Sequence, residues 1–354
     1  MTSEPSATSR RNLTTLRAAA ALILVILIGA PSLLYPFSRD QGEYAYIASA
    51  ALGGKTIYRD VFNVKPPLAQ VVHELALLAF GHSMVAIRAL DLLWQAATAI
   101  VILLIADRTF EPRGVGLLSR LLPVALWWLA ALISLGAQNK LYAYHALPLV
   151  APQSLLAARL PFMARDRERV SRPLRLALIA LATVFALALL VGRLAWRYPR
   201  NYQGLFDVVT GTKPLAAVYE HPEFRIFGGG NARYAIYTEL EAARHIEARS
   251  APDETVFVWG FEPTVYFLSH RVSASRFIYN YPLYGDFPWP QLQEECLAQL
   301  ERNPPRCIVV VRNDPMPWIS GAPDDSRTAL ARFIRSRHRF EALIGDFTLY
   351  RRDD

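Results

Sequence analysis

The sequence has few residues that could hold a metal ion or a nucleotide. It contains two cysteines, Cys296 and Cys307, and no CxxC pair or Cys/His cluster, which argues against a structural zinc site. P-loop and dinucleotide-binding fingerprints are also missing. The sequence therefore predicts no cofactor, although a divalent metal stays open. If this part of the chain lies outside the cytoplasm, the cysteines form either a disulfide or two buried thiols, and the sequence does not decide between them.

Positive charge exceeds negative charge, and hydrophobic residues make up 53% of the chain. This proportion is high for a soluble protein and low for a chain built only of spans, so it predicts a membrane part joined to a soluble part. The net charge of +8 could also indicate nucleic-acid binding. The arginines, however, cluster beside apolar runs, as the positive-inside rule describes. The sequence therefore predicts a membrane protein with no nucleic-acid partner.

Long apolar runs predict about five transmembrane helices. They cover residues 18–38, 85–106, 115–135, 141–158 and 176–190. Arginines lie before the first run, between the second and third, and between the fourth and fifth, so these regions are predicted to be cytoplasmic. The stretch 68–80 is too short to span and is predicted to form an amphipathic helix on the outer surface. An export signal at residues 9–11 is an alternative that the later spans disfavour, and cleavage near residue 30 is an alternative that Pro31, just after the cut, disfavours.

The predicted fold is a multi-span α-helical protein of the cell inner (plasma) membrane with a C-terminal extracytoplasmic α/β domain. Its parts are a cytoplasmic N-terminus (1–17), a transmembrane domain (18–193) with an outer loop (39–84), a linker (194–232) and the outer domain (233–354). In the outer domain, helices predicted at 235–249, 262–269, 291–302 and 326–337 alternate with strands at 255–259, 307–312 and 347–351. Such alternation indicates a small, partly parallel sheet.

The outer loop begins with acidic residues beside the first predicted span. Helical spacing places Asp40 and Glu43 on one short helix, which Gly53-Gly54 would end. Ionisable residues held at a membrane boundary are often functional. The alternative is that these are ordinary solvated loop charges.

The same loop also carries basic residues. Lys65 directly precedes Pro66-Pro67, which would start the surface helix, and the loop also contains Arg39 and Arg59. Transfer of a sugar from a lipid phosphate requires a base for the acceptor hydroxyl and positive charge for the departing phosphate. The acidic residues could serve the first need, and the basic residues the second.

Four short motifs follow the first span in a characteristic order: Asp40-Gln41-Gly42-Glu43-Tyr44, Gly53-Gly54, Tyr58-Arg59-Asp60 and Lys65-Pro66-Pro67. Together they resemble the first outer loop of the GT-C superfamily of glycosyltransferases. More narrowly, they are similar to family-39-like enzymes, relatives of protein O-mannosyltransferases and of the aminoarabinose transferase that acts on lipid A. The resemblance covers roughly residues 15–110. The family often has Asp-Glu where this chain has Asp40-Gln41.

The resemblance implies an inverting glycosyltransferase that uses a polyprenyl-phosphate-sugar lipid and acts on an envelope lipid such as lipopolysaccharide, a glycan or a protein. Asp40 matches the catalytic acidic residue at the start of the family's loop, and Glu43 is the second candidate catalytic carboxylate. Lys65 matches the residue near the lipid phosphate, and Arg59 is a further candidate for phosphate binding. Two tyrosines of these motifs, Tyr44 and Tyr58, are candidate substrate-binding residues.

A second polar patch, at residues 139–148, opens the fourth predicted span. It is similar to the Tyr- and His-rich start of a late helix in these transferases, where Lys140, Tyr144 and His145 would face the donor headgroup. The alternative is an interfacial aromatic belt with a lysine that reaches toward the headgroups. A single histidine predicts no metal site.

The membrane core is shorter than is usual in the family, and its later outer loop carries no acidic residue. The alternative function is therefore a non-catalytic relative that acts as a glycan-binding or partner subunit. In the outer domain, Glu262 and the aromatic stretch 279–289 either touch an acceptor glycan or pack at the sheet edge.

Overall fold

The computed structural model describes residues 7–110, 195–220, 236–284, 290–312 and 328–353, with a few helical residues between 123 and 180. The chain divides into two compact units. The first comprises Met1–Pro31 and Asp91–Gln203, and the second comprises Ser32–Leu90 and Gly204–Asp354. The outer loop therefore belongs to the same unit as the C-terminal part of the chain.

The named elements of the described residues before residue 250 are all helices, and those after it are a mixture of helices and strands. The helices that precede the sheet are α1 (Ala7–Gly29), α2 (Arg39–Leu52), α3 (Leu68–Phe80), α4 (Met84–Phe110), α5 (Ala195–Val209), α6 (Leu215–Tyr219) and α7 (Ile236–Arg249). The remaining elements are β1 (Val256–Trp259), α8 (Thr264–Ser269), α9 (Tyr281–Tyr284), α10 (Pro290–Arg302), β2 (Cys307–Val311), α11 (Ala329–Arg337), β3 (His338–Ile344) and β4 (Phe347–Arg352).

Two helices among the described residues are long and apolar enough to cross a membrane, and they cover Thr14–Leu34 and Met84–Ile105. Most of their side chains are not buried within the protein, which suits helices that face lipid. They coincide with the first two predicted spans. The predicted spans at 115–135, 141–158 and 176–190 lie largely outside the described residues, so the five-span layout stays a prediction.

The two helices of the outer loop form where the sequence predicts them. Helix α2 begins after Ser38, whose backbone N–H donates to Gln41 Oε1 at 3.2 Å, as in a capping box. It ends at Gly53, and Gly54 follows with a φ of +89°, a conformation that favours glycine. Helix α3 covers Leu68–Phe80, the predicted range, and follows Pro67 directly.

The C-terminal part contains a four-stranded sheet with the order β1-β2-β4-β3. Strands β1 and β2 are parallel, whereas β4 is antiparallel to both β2 and β3. The predicted partly parallel sheet is therefore confirmed. Strand β3 was not predicted, because it follows α11 without a turn residue between them and exposes several side chains, as an edge strand does.

The two cysteines are free, buried thiols, and the disulfide alternative is wrong. Cys307 on β2 packs with one hydrophobic cluster, and Cys296 on α10 packs with another. Alternate strand residues point to opposite faces of a sheet, so these clusters lie on its two sides. Burial raises the pKa of the Cys296 thiol to about 12, so this thiol stays protonated and unreactive.

The outer loop shares a hydrophobic core with one face of the sheet. Tyr46 of α2 is buried in the same cluster as Val258 and Val309 of the strands. Its ring centroid lies 4.8 Å from that of Tyr266 in α8. Its hydroxyl accepts a hydrogen bond from the Ser273 backbone N–H at 2.8 Å. Burial of one large apolar side chain contributes about 1.5–3 kcal/mol, so several of them fix the loop firmly on the domain.

Candidate functional site

Asp40 and Lys65 form an ion pair within the outer loop. Asp40 lies in the first turn of α2, and Lys65 lies just before the two prolines that precede α3. The distance from Lys65 Nζ to Asp40 Oδ1 is 3.1 Å, and the side chains are 31% and 48% exposed. Exposed ion pairs contribute only about 0–1 kcal/mol to stability. An anionic ligand could therefore replace Asp40 beside Lys65 at little cost to the fold.

Tyr44 lies one helical turn after Asp40 and borders the same lysine. Lys65 Nζ is 5.2 Å from the centroid of the Tyr44 ring, within the range of a cation–π contact. The ring of His73 in α3 lies 5.4 Å from the Tyr44 ring. Burial alone would lower the pKa of Lys65, but nearby acidic groups, Asp40 first among them, raise it above its ordinary value. Lys65 therefore stays positively charged.

Glu43, the second predicted acid, is almost completely buried on α2, with 1% of its surface exposed. Burial raises the pKa of Glu43 to about 7, although the charge of Lys65 opposes this shift. The Tyr279 hydroxyl of the C-terminal part also acts on this carboxyl and lowers its pKa. A carboxyl with a pKa near 7 can both accept and donate a proton at physiological pH. Glu43 is thus a buried proton-holding group beside the Asp40 carboxylate.

Two other predicted residues of the loop have different surroundings. Tyr58 has a φ of +72°, and its hydroxyl donates a hydrogen bond to the Lys65 carbonyl at 2.7 Å. It therefore supports the backbone of Lys65. Arg59 pairs with its neighbour Asp60 at 2.7 Å and is largely exposed. The structure thus brings Tyr58 to the site, whereas the observed partner of Arg59 is Asp60.

A buried cluster of charged side chains adjoins Asp40, and the sequence did not reveal it. Arg39 Nε lies 2.6 Å from Glu262 Oε1, and Glu262 is fully buried. Burial and the Glu262 carboxylate, which interacts with Glu239, raise the pKa of Glu239 well above its ordinary value. Of the two readings of Glu262, the structure contradicts contact with an acceptor, because Glu262 is enclosed beside Arg39.

Arg88 holds the start of α2 from another side. Its guanidinium donates hydrogen bonds to the Pro36 carbonyl and to Gln41 Oε1, both at 2.7 Å. It also donates to the Tyr35 carbonyl at 3.1 Å. An arginine inside a predicted span is a signal that could have identified this role, since such residues usually have a partner.

The second predicted patch lies outside the described residues, and this applies to Lys140, Tyr144 and His145. Within the described part of the chain, no group of three or more His, Cys, Asp or Glu side chains lies close enough together to hold a metal ion. Among the described residues, the carboxyl groups of Asp40 and Glu43 act electrostatically on Lys65.

No family model, curated protein or solved structure matches the chain. The chemistry of the site therefore has to be inferred from its own groups. Asp40 is an accessible carboxylate that can accept a proton, and Lys65 is a cation that can bind an anionic oxygen. Such a pair suits a reaction in which one oxygen loses a proton while another oxygen leaves with negative charge.

Proposed function

We propose that this chain is a membrane glycosyltransferase that moves a sugar from a polyprenyl-phosphate donor to an envelope lipid, glycan or protein. The observation that carries the proposal is the ion pair between Asp40 and Lys65, which joins a base and a phosphate-binding cation on one accessible surface. The pair follows the first candidate span closely in sequence. The phosphate of a lipid donor lies at the membrane surface, which is where such a site would be needed.

In the proposed reaction, the donor phosphate binds Lys65 and displaces Asp40 from it. Asp40 then accepts the proton of the acceptor hydroxyl. The acceptor oxygen forms a bond to the anomeric carbon while the bond from that carbon to the phosphate oxygen breaks. Lys65 stabilises the charge of the polyprenyl phosphate that leaves. One displacement of this kind inverts the anomeric centre.

In the proposed reaction, Glu43 can take up the proton that Asp40 has accepted from the acceptor hydroxyl. Its buried carboxyl interacts electrostatically with Asp40, and its pKa of about 7 allows it to change protonation state during turnover. Tyr44 is positioned beside Lys65, where its ring could contact the donor sugar. The proposal assigns the phosphate charge to Lys65, which stays positively charged beside Asp40.

The proposal is tested in a deletion strain that is complemented with the wild type, Asp40→Asn or Asp60→Asn. Asp60 is the matched control because it is an aspartate of the same loop that pairs with Arg59. Loss of a general base typically costs about 10²–10⁴-fold in rate. Mass spectrometry of envelope glycolipids and glycans should show a sugar-sized mass with the wild type and Asp60→Asn, but not with Asp40→Asn at equal membrane abundance. Full restoration by Asp40→Asn would refute the catalytic assignment.

A non-catalytic subunit is the second candidate function. One observation favours it: Asp40 is already neutralised by Lys65, and Glu43 is enclosed, so neither carboxyl is a free base in this state. In that case Asp40→Asn would restore the glycan as well as the wild type does. The protein would also co-purify with a separate transferase and would be inactive when purified alone.

A further inference from the structure

The first turn of α2 is attached to the C-terminal part by a buried ion pair directly beside Asp40. Arg39 Nε and Glu262 Oε1 are 2.6 Å apart, and both side chains are largely withdrawn from solvent. The Arg39 guanidinium also lies 5.7 Å from the centroid of the Phe261 ring. Arg39 therefore contacts two consecutive residues between β1 and α8.

The packing around this ion pair leaves the start of α2 little freedom. Gly42 of α2 lies against Thr264 of α8, where an added Cβ would approach the Thr264 backbone to 3.0 Å. Arg88 also binds the Gln41 side chain at 2.7 Å. Arg39, Gln41 and Gly42, which lie next to Asp40 in α2, are thus each held by a contact to another element.

We propose that Glu262 is a positioning residue: its ion pair with Arg39 fixes the first turn of α2 and thereby places Asp40 opposite Lys65. This inference rests on the proposed function, because it concerns the placement of the proposed base. Glu262 is enclosed, so it does not touch substrate. It acts through Arg39.

Glu239 supplies a matched control for this proposal. It is a second buried glutamate of the same cluster, whereas Glu262 is the carboxylate that pairs with Arg39. Glu239→Gln leaves the ion pair between Arg39 and Glu262 in place. Glu262→Gln removes the carboxylate that pairs with Arg39. Both variants replace a buried glutamate with an amide, but only the second breaks the ion pair.

The first readout does not depend on enzymatic activity. The chain contains four lysines, Lys55, Lys65, Lys140 and Lys213, so an amine-acylating reagent gives a simple peptide map. Lys65 is protected by its pairing with Asp40, and Lys213, paired with Asp207 at 2.9 Å, is an internal reference. In the full-length protein in detergent, Glu262→Gln should raise the labelling of Lys65 relative to Lys213 several-fold. Glu239→Gln should leave this ratio unchanged.

The second readout is transfer activity. A displacement of a catalytic group by about 1 Å can cost roughly 10²-fold in rate. Glu262→Gln should therefore lower kcat by about 10–100-fold with little change in the KM for the donor, since Lys65 is retained. If the wild type shows no transfer but the labelling result holds, the positioning role stands and the proposed function fails. If Lys65 labelling does not change in Glu262→Gln, the positioning role is refuted whatever the activity.

A double substitution covers the case in which Glu262→Gln does not fold. Removal of one partner leaves a buried charge, whereas removal of both partners is often tolerated. Arg39→Gln combined with Glu262→Gln should therefore remain folded and should still show increased labelling of Lys65. Wild-type labelling in this folded double variant would overturn the proposal.

Discussion

Gly42 of the outer loop lies against Thr264 of the C-terminal part with no space for a side chain between them. A Cβ at position 42 would come within 3.0 Å of the Thr264 Cα and closer still to its hydroxyl. Helices α2 and α8, which carry these residues, can therefore pack this closely only because position 42 is a glycine. This contact also determines how the loop that carries Asp40 lies on the domain.

Gly42→Ala should destabilise the protein despite the better helix propensity of alanine. The propensity gain is about 1 kcal/mol, but a forced backbone shift in a packed core costs about 1–3 kcal/mol. The expected result is a lower midpoint of thermal unfolding for the purified protein in detergent. Gly204→Ala in α5 is the control, because its Cβ would meet only the Val218 side chain at 3.2 Å. An unchanged midpoint for Gly42→Ala would contradict the close packing of the two helices.

Lys65→Met should weaken the binding of a lipid phosphate. A hydrogen bond to a charged group contributes about 1.5–3 kcal/mol, which corresponds to roughly 10–100-fold in affinity. Native mass spectrometry of the purified protein with polyprenyl monophosphate would measure this loss. Lys55→Met is the matched control, because Lys55 is an exposed lysine of the same loop. Equal binding by both variants would remove Lys65 from the phosphate site.

Glu43 should make stability depend on pH. The pKa of Glu43 is about 7 in the folded protein, whereas the ordinary glutamate value of 4.5 applies to the unfolded chain. Between these two pH values, the folded state holds the proton and the unfolded state does not. The free energy of unfolding should therefore fall as pH rises from about 4.5 to 7, by up to about 3 kcal/mol. Glu43→Gln removes this contribution. Unfolding at pH 5 and pH 8 should show a smaller difference for this variant than for the wild type, and identical differences would contradict the assignment.

The five-span layout predicts which side of the membrane each segment faces. Alkaline phosphatase, which is active only outside the cytoplasm, should be active when fused after residue 353 and inactive when fused after residue 112 or 167. Residues 112 and 167 lie in arginine-rich links between predicted spans, and the positive-inside rule predicts that such links are cytoplasmic. A green fluorescent protein fused at the same positions should give the opposite pattern. Activity after residue 167 would refute the proposed topology.

Local sequence signals predicted most of the described elements. The paired prolines before α3 and the Gly53-Gly54 pair after α2 place the start of one loop helix and the end of the other correctly. The apolar, β-branched run of β2 identified a buried strand. Strand β3 was missed because its charged residues suit an exposed edge as well as a loop.

The candidate site could be predicted only in part, because its contacts join distant residues. The matching motifs identified Asp40 and Lys65, which the structure brings together. The Arg39–Glu262 pair depends on how α2 packs on the C-terminal part, and no local pattern encodes this. For the same reason, the sequence could not show that Glu43 is buried.

The hydrogen bond between the Tyr46 hydroxyl and the Ser273 backbone joins residues that are 227 positions apart. The outer loop is synthesised early, but the side chains that complete its core are synthesised among the last. Helix α2 therefore lacks the strands that complete its core until the C-terminal part has been made. A chain that ends before β1 would therefore leave Tyr46 and its apolar neighbours in α2 without the strand residues that bury them in the complete protein.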